Sequence, residues 1–122
     1  MFEIGIDVVG IKRISKLYSL YGEKFLSKIL NPEEIQEAKI KGHFIQSIAG
    51  KFAAKEAYIK ASSSLRSYNL SLLEINILSD SINKPFICLK KTRTEETDHL
   101  SIRVSISHEK EYAVAVVAIL NP

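Results

Sequence analysis

The amino-acid sequence predicts an α+β fold, in which an antiparallel sheet packs on a long central helix. Three observations lead to this prediction. Helical periodicity fills most of the first half of the 122-residue chain, strand-like alternation fills the second half, and one isolated strand opens the chain. The sequence has no internal repeat, low-complexity tract or linker, so residues 1–122 are expected to form a single domain.

A strand is predicted at the start of the chain, because apolar side chains alternate there with small or acidic ones. The apolar members are Phe2, Ile4, Ile6 and Val8, and those between them are Glu3, Gly5 and Asp7. A period of two is typical of a half-buried strand. Asp7 is therefore expected on the face opposite the apolar set, next to the small Gly5, and Gly10 ends the strand.

Three helices are predicted before the central one. Apolar residues recur at helical spacing at Ile11, Ile14, Leu17, Tyr18 and Tyr21, and the opposite face carries Lys12, Arg13 and Lys16. Gly22 is a typical stop for this helix. A short helix is expected from Phe25 to Ile29. A third helix is predicted to start at Asn31, which would be its cap, with Pro32 at the first helical position and acidic residues in the first turn. Gly42 is expected to end or interrupt this helix.

The central segment, roughly Phe44 to Ser63, predicts a long helix, because it lacks proline and is rich in Ala, Lys and Glu. Its apolar stripe consists of Ile45, Ile48, Phe52 and Ile59. The three serines at 62–64 predict the helix exit, and a loop is expected through Asn69.

The second half predicts strands. Leu73, Ile75 and Ile77 alternate with Glu74 and Asn76, which predicts a strand that ends at Ser79-Asp80-Ser81. A shorter strand is expected over 85–89 after a turn at Asn83-Lys84, and residues 90–99 are expected to form a loop or a short exposed element. Two further strands, over 100–107 and 112–120, are expected to form a hairpin with its turn at 108–111.

Composition and charge allow several functions and exclude others. The net charge of +3 and a pI of about 9.0 suit an anionic ligand or an acidic partner, but also a protein with no special partner. Cys88 is the only cysteine, which excludes an internal disulfide and a cysteine-rich metal site. The longest apolar stretch, Ala113 to Leu120, is too short for a membrane helix, and no secretory signal is visible, so we expect a cytoplasmic protein that binds no membrane.

Four side chains are candidates for chemistry. Asp7 ends an apolar strand, where a carboxylate needs a partner, and it could equally cap the following helix. Glu56 and Lys60 share a helix face and could be a surface ion pair. Together the two carboxylates and the nearby lysines suit a magnesium ion bound with substrate phosphates. His108 could be an exposed turn residue or could donate a hydrogen bond to a phosphate.

Three stretches in order carry a resemblance to a known family. They are Gly5-Ile6-Asp7-Val8-Val9 with Ile11-Lys12-Arg13-Ile14, then Phe52-Ala53-Ala54-Lys55-Glu56-Ala57 with Lys60-Ala61, then Val104-Ser105-Ile106-Ser107-His108 with Lys110-Glu111-Tyr112-Ala113. Together they resemble the bacterial holo-[acyl-carrier-protein] synthases, the small, single-domain class of phosphopantetheinyl transferases. The similarity runs almost end to end and includes the length.

The resemblance implies the fold and the reaction of this family. A magnesium-dependent transfer would move the 4′-phosphopantetheine arm of coenzyme A to a serine of apo acyl carrier protein. The products would be the holo carrier protein, which serves fatty acid biosynthesis, and adenosine 3′,5′-bisphosphate. The resemblance also implies a homotrimer with coenzyme A bound between neighbouring subunits.

The resemblance also assigns roles to residues of this chain. Asp7 and Glu56 match the family's magnesium ligands, and Lys60 matches the lysine beside the phosphates, so these three would be the catalytic residues. A metal-activated water or Glu56 would take the serine proton. The positions matching the coenzyme A site are Lys51, Lys60, Lys84, Pro85 and His108. The basic face of the first helix, with Lys12, Arg13 and Lys16, would bind the acidic carrier protein.

The chain departs from the family pattern at three places. Lys51 stands where the family usually has arginine, which replaces a bidentate phosphate contact by a point charge. Serines begin the stretch Ser62 to Ser71, where a glycine-rich segment is usual, and Asn83 replaces a glycine. Two rival hypotheses remain at this stage. One is a relative that binds coenzyme A or carrier protein without transfer, and the other is a basic nucleic-acid-binding domain, although its basic patches lack interleaved aromatic residues.

Overall fold

The computed structural model of the protein describes residues 1–65, 70–90 and 99–121. Five strands and four α-helices follow one another in these ranges. They are β1 (Phe2–Gly10), α1 (Ile11–Tyr21), α2 (Glu23–Ile29), α3 (Pro32–Lys41), α4 (Phe44–Ala61), β2 (Ile75–Ser79), β3 (Pro85–Leu89), β4 (Ser101–His108) and β5 (Tyr112–Leu120). The predicted α+β class and the long central helix are confirmed. The central part of the stretch Ser62 to Ser71 and most of the loop expected over 90–99 lie outside the described residues.

The strands form two antiparallel sheets rather than one. The larger sheet has the order β1-β5-β4, and β2 and β3 form a separate two-stranded sheet. The first strand of the chain therefore pairs with the last, with Asp7 opposite Ala115 and Val9 opposite Ala113. On the other side of β5, Ala113 is opposite His108. This order places β1 and β4 at opposite edges of the larger sheet.

The burial of β1 is the reverse of what its apolar alternation suggests. Gly5 and Val9 are buried and Asp7 is half-buried on the face that meets α4. The apolar set points away from the helix and is 55–61% exposed, and its members are Phe2, Ile4, Ile6 and Val8. The expectation that Asp7 opposes the apolar set is correct, but in the single chain the apolar face is the outer one.

Helix α4 lies on the inner face of the larger sheet and packs through small side chains. Its fully buried residues include Ala49, Ala53, Ala57 and Ala61, whereas Phe52 of the predicted apolar stripe is only partly buried. Alanines let the helix backbone approach the sheet closely. The closest approach is at Gly5, where a Cβ atom would lie 2.1 Å from the carbonyl oxygen of Ala57. This contact fixes β1 against the C-terminal half of α4.

Local signals place the remaining elements. The Asn31 side chain caps α3 and Pro32 occupies its first turn, as predicted, and Gly22 and Gly42 with positive φ end α1 and α3. The strand predicted from Leu73 is wrong at its start. Residues 72–74 form a 3-10 helix that Ser71 caps, and β2 begins only at Ile75.

Candidate active site

Asp7 and Lys60 form an ion pair where β1 meets the end of α4. The Lys60 Nζ donates hydrogen bonds to Asp7 Oδ1 at 3.0 Å and to the carbonyl oxygen of Ile6 at 3.0 Å. Helix α1 has Gly10 at its N-cap and no capping side chain, so Asp7 does not cap it. The interpretation of Asp7 as a helix cap is therefore wrong.

Glu56 lies one helical turn before Lys60 on the same face of α4. Its side chain is partly buried, yet it forms no hydrogen bond or ion pair within the described part of the chain. The interpretation of Glu56 and Lys60 as a simple surface pair does not hold, because Lys60 pairs with Asp7 instead. Among the residues described, the site therefore contains one paired carboxylate, Asp7, and one without a bonded partner, Glu56.

The donor chemistry of this site fits a magnesium ion. Magnesium prefers oxygen ligands and is usually held by one or two carboxylates together with substrate phosphates and water. Asp7 and Glu56 supply two such carboxylates. The residues described contain no cluster of three His, Cys, Asp or Glu side chains that could hold a metal alone. The remaining ligands would therefore have to come from a phosphate-bearing substrate and water.

A cavity of about 310 Å³ opens on the other flank of α4. Its lining includes Lys51, Pro85 and His108 of the predicted coenzyme A site. It also includes Lys41 and His43, which were not predicted from the sequence. Lys84 is exposed at the adjoining hairpin turn and does not line the cavity. Basic side chains and two histidines make this cavity suitable for an anion.

The cavity does not contain the carboxylates. Asp7, Glu56 and Lys60 are absent from its lining. Asp7 lies on β1 and His108 on β4, at opposite edges of the sheet. His108 also lines a hollow on the outer face of the sheet together with Val8 and Tyr112. The carboxylates and the cavity thus lie on different flanks of α4.

Lys51 is not a free cation in this structure. It is 4% exposed, and its Nζ donates to Glu37 Oε1 at 2.7 Å and to the carbonyl oxygen of Ile77 at 2.7 Å. Burial lowers the pKa of Lys51, although the hydrogen bond and charge of Glu37 oppose this. Lys41 also lies 3.6 Å from Glu37. Glu37 therefore offsets part of the positive charge along this wall of the cavity.

Lys55 forms a second, fully buried ion pair with α3. Its Nζ donates to Glu34 Oε1 at 2.6 Å and to the carbonyl oxygens of Ile29 and Leu72. Glu34 also accepts hydrogen bonds from the backbone N–H groups of Asn31 and Ile77. Burial lowers the pKa of Lys55, and the charge of Glu34 opposes that effect.

These two ion pairs, Lys51–Glu37 and Lys55–Glu34, form a ladder between α3 and α4. Both lysines lie close to Glu56 in the sequence, but their partners on α3 were not predicted. The available signal was the spacing of Glu34 and Glu37 on one helix and of Lys51 and Lys55 on the next, in segments rich in apolar residues. The ladder fixes the rotation of α4 from the side opposite β1.

The predicted carrier-protein face lies on α1. Lys12, Arg13 and Lys16 are all exposed, and the other side of the helix buries Ile11 and Ile14. None of the helices in the described residues is long and apolar enough to span a bilayer.

Comparison with known proteins identifies the family. The family model described as "4'-phosphopantetheinyl transferase superfamily" matches residues 3–117. The chain belongs to this superfamily. A holo-[acyl-carrier-protein] synthase from Chlorobium chlorochromatii is 39% identical over 123 residues, which covers 96% of this chain and 98% of that protein. The resemblance inferred from the three sequence stretches is confirmed, and so is the interpretation of the chain as an enzyme, a phosphopantetheinyl transferase.

Solved structures of other phosphopantetheinyl transferases share the fold. The holo-[acyl-carrier-protein] synthase of Helicobacter pylori in complex with coenzyme A is 41% identical, with a TM-score of 0.82 and coverage of 96% of this chain and 99% of that one. A holo-(acyl-carrier-protein) synthase of Bacillus anthracis in complex with CoA (3′,5′-ADP) is 36% identical, with a TM-score of 0.77 and coverage of 96% and 94%. Both relatives bind coenzyme A or part of it.

Proposed function

We propose that this chain transfers the 4′-phosphopantetheine group of coenzyme A to a serine of apo acyl carrier protein and releases adenosine 3′,5′-bisphosphate. The reaction would depend on magnesium and support fatty acid biosynthesis. The observation that carries the proposal is the grouping of Asp7, Glu56 and Lys60 at the contact of β1 with α4, in a chain whose relatives are holo-[acyl-carrier-protein] synthases.

The roles of the side chains follow from their partners. The serine oxygen attacks the phosphorus that carries the pantetheine arm, and the bond from this phosphorus to the bridging oxygen breaks. Glu56 could accept the serine proton on one carboxylate oxygen while the other oxygen holds the metal, because no group in the described residues occupies either oxygen. The bridging oxygen leaves with adenosine 3′,5′-bisphosphate, and the Lys60 ammonium stabilises the charge that develops on it.

Asp7 and Glu56 would hold the magnesium ion. When bound, magnesium would neutralise the charge that builds on the phosphoryl oxygens. The protein supplies the position of both carboxylates through the close contact of Gly5 with α4 and through the ladder on the opposite side.

The cavity beside α4 would bind the nucleotide end of coenzyme A. Pro85 and His108 line it, and Lys84 lies at its edge in the hairpin between β2 and β3. Lys51 would act mainly through the charge of the cavity wall, because its ammonium is already bound to Glu37. Lys41, which also lines the cavity, is the more exposed of these two lysines.

The proposal includes a homotrimer with active sites between subunits. Two observations support it. The outer face of β1 exposes four large apolar side chains in a row, which is unusual unless another surface covers them. The carboxylates and the nucleotide cavity also lie on different flanks of α4, so a complete site could form where one chain meets the next. The whole chain, residues 1–122, would fold as one domain within each subunit.

Mixing variants would test whether the site is shared between subunits. Asp7→Ala removes a carboxylate, and His108→Glu places a negative charge in the cavity. A one-to-one co-expression of the two variants should recover about one quarter of wild-type activity. Each site between two subunits of a cyclic oligomer has a chance of about one half of receiving intact carboxylates and about one half of receiving an intact cavity. No recovery in mixed oligomers, verified by mass spectrometry, would place both halves in one chain.

The exposed basic face of α1 would bind the acidic carrier protein. Arg13→Glu should raise the KM for carrier protein more than the KM for coenzyme A, and association should weaken strongly with salt. Lys39→Glu is a matched control, because Lys39 lies on α3 in an exposed ion pair with Glu23 at 3.5 Å. Equal effects of Arg13→Glu on both KM values would show that α1 does not bind the carrier protein.

The transfer reaction itself is tested by incubating apo carrier protein with coenzyme A, magnesium and this protein. We expect the carrier protein to gain the mass of phosphopantetheine. Asp7→Ala and Glu56→Ala should abolish the gain while circular dichroism shows an intact fold. No mass gain with the wild-type protein would refute the transferase proposal and favour a protein that only binds coenzyme A.

The proposal keeps the cytoplasmic location expected from the sequence. Cys88 is a free and exposed thiol, which is typical of proteins in a reducing compartment. It also keeps the expectation that no nucleic acid binds. Salt-sensitive retention on immobilised DNA or RNA would contradict that expectation.

A further inference from the structure

We propose that the Lys60 ammonium and a divalent cation compete for Asp7, so that Lys60 must leave this carboxylate before the cation can bind there. This inference rests on the proposed function, in which Asp7 and Glu56 hold the metal. Its basis is the pair of 3.0 Å contacts that the Lys60 ammonium makes with Asp7 Oδ1 and with the carbonyl oxygen of Ile6.

The geometry shows why Lys60 is held at this strand. β1 is an edge strand of its sheet, and its odd-numbered residues are the ones that bond to β5, as Met1 does to Asn121 just before the strand, so the Ile6 carbonyl that Lys60 binds faces the free edge. The Asp7 side chain is only 18% exposed, whereas the Lys60 side chain is 56% exposed. Lys60 therefore approaches Asp7 from the solvent side, which is the side from which a metal and a substrate phosphate would arrive.

The charges make the two cations competitors. Asp7 and Glu56 carry two negative charges, and Lys60 neutralises one of them. A divalent cation bound to Asp7 would repel the ammonium at this distance, because the two positive charges would share one carboxylate. We therefore expect weak binding of metal to the substrate-free chain.

A substrate with phosphate groups changes this balance. The long flexible stem of lysine lets its ammonium move to a phosphate oxygen while Asp7 becomes available to the metal. Coenzyme A would thus strengthen metal binding, and by thermodynamic reciprocity the metal would strengthen binding of coenzyme A equally. Lys60 would thus make the binding of the metal ion and the binding of coenzyme A depend on each other, in addition to its role at the leaving oxygen.

The experiment measures binding of Mn²⁺ alone by isothermal titration calorimetry, because manganese prefers the same oxygen ligands as magnesium. Lys60→Met removes the ammonium and keeps a long apolar side chain. Lys39→Met is the matched control, since it makes the same chemical change in an ion pair with Glu23 away from the site. Without coenzyme A, Lys60→Met should bind Mn²⁺ at least about fivefold tighter than the wild type, the lower end of typical coupling, and Lys39→Met should not differ.

A second titration measures the coupling itself. Addition of adenosine 3′,5′-bisphosphate or coenzyme A should tighten Mn²⁺ binding in the wild type far more than in Lys60→Met. Unchanged or weaker Mn²⁺ binding by Lys60→Met would overturn the inference. Lys60→Gln provides a second uncharged side chain if Lys60→Met proves unstable.

An Asp7→Asn variant separates the two proposals. If this variant binds Mn²⁺ as well as the wild type does in the presence of coenzyme A, the proposed metal site is wrong. If Asp7→Asn loses the binding but Lys60→Met gains nothing, the metal site stands and only the competition by Lys60 is refuted.

Discussion

Gly5 is the position where one added methyl group should damage both the fold and the site. A Cβ atom there would lie 2.1 Å from the carbonyl oxygen of Ala57 and 2.7 Å from the backbone nitrogen of Ala61. Ordinary contact begins at 3.4 Å, so β1 and α4 would have to separate by about 1.3 Å. Both contacting groups are backbone, which cannot rotate away as a side chain can.

The cost of Gly5→Ala can be bounded from overpacking in other cores. An inserted methylene group typically lowers the free energy of unfolding by about 1–3 kcal/mol. Gly5→Ala should lie at the upper end of this range, because the added Cβ atom would meet two backbone atoms. A loss of about 3 kcal/mol in a domain of this size should lower Tm by roughly 10 °C or more. Thermal unfolding followed by circular dichroism measures this shift.

The same separation should disturb the active site. Asp7 lies two residues after Gly5, and Glu56 and Lys60 directly precede Ala57 and Ala61. A displacement of about 1 Å between catalytic groups can cost roughly 100-fold in rate. We expect Gly5→Ala to lose transfer activity by this order, even at a temperature where the variant remains folded.

Two other glycines serve as controls for Gly5→Ala. At Gly10, a Cβ atom would have its nearest contact at 4.0 Å, so Gly10→Ala should stay within about 1 kcal/mol of the wild type. At Gly50, the added atom would meet the Ile106 side chain at 2.9 Å, which can shift more easily than backbone, so an intermediate loss is expected. Wild-type stability and activity of Gly5→Ala would refute the reasoning, and lost stability with full activity would refute the link to the site.

Two further predictions concern the ladder between α3 and α4. Lys55→Met should cost about 3–5 kcal/mol in urea unfolding, because it leaves the buried Glu34 carboxylate without its cation, and the double variant with Glu34→Gln should recover most of this loss. A double variant no more stable than Lys55→Met would contradict this account. Burial raises the pKa of Glu37, but hydrogen bonds from Lys51 and from a backbone N–H, with the lysine charges, lower it below 4.5 overall. Its stabilisation should therefore be present above pH 4.5 and disappear as the pH falls through the folded-state pKa, so the stability difference between wild type and Glu37→Gln should shrink as the pH falls below 4.5.

Local signals in the sequence predicted the helices well. Asn31 and Pro32 mark the start of α3, and Gly22 and Gly42 mark helix ends, because capping depends on a few adjacent residues. The period-two alternation that predicts strands was misleading at Leu73, where the chain forms a 3-10 helix. A three-residue run cannot distinguish a strand from a 3-10 helix, and the decisive contact is the local cap from Ser71.

Long-range pairing was not accessible to the same reasoning. Apolar alternation in β1 establishes two faces but not which of them contacts the helix of the same chain. The face of β1 that contacts α4 is the one with Gly5, because the absence of a side chain there lets the α4 backbone come close. Likewise, the charges of Lys51 and Lys55 are visible in the sequence, but their burial against Glu37 and Glu34 depends on the packing of α3 on α4.

The two faces of β1 connect the chemistry with the proposed assembly. Asp7 can meet Glu56 and Lys60 only if the small residues of β1 face α4, and a period of two then forces the apolar residues to the outside. A single chain that builds this site therefore carries an exposed apolar face as a geometric consequence. Association through that face would cover it and could bring the cavity of a neighbouring chain to the carboxylates. The position of Asp7 and the need for a partner subunit would then have the same origin in the strand.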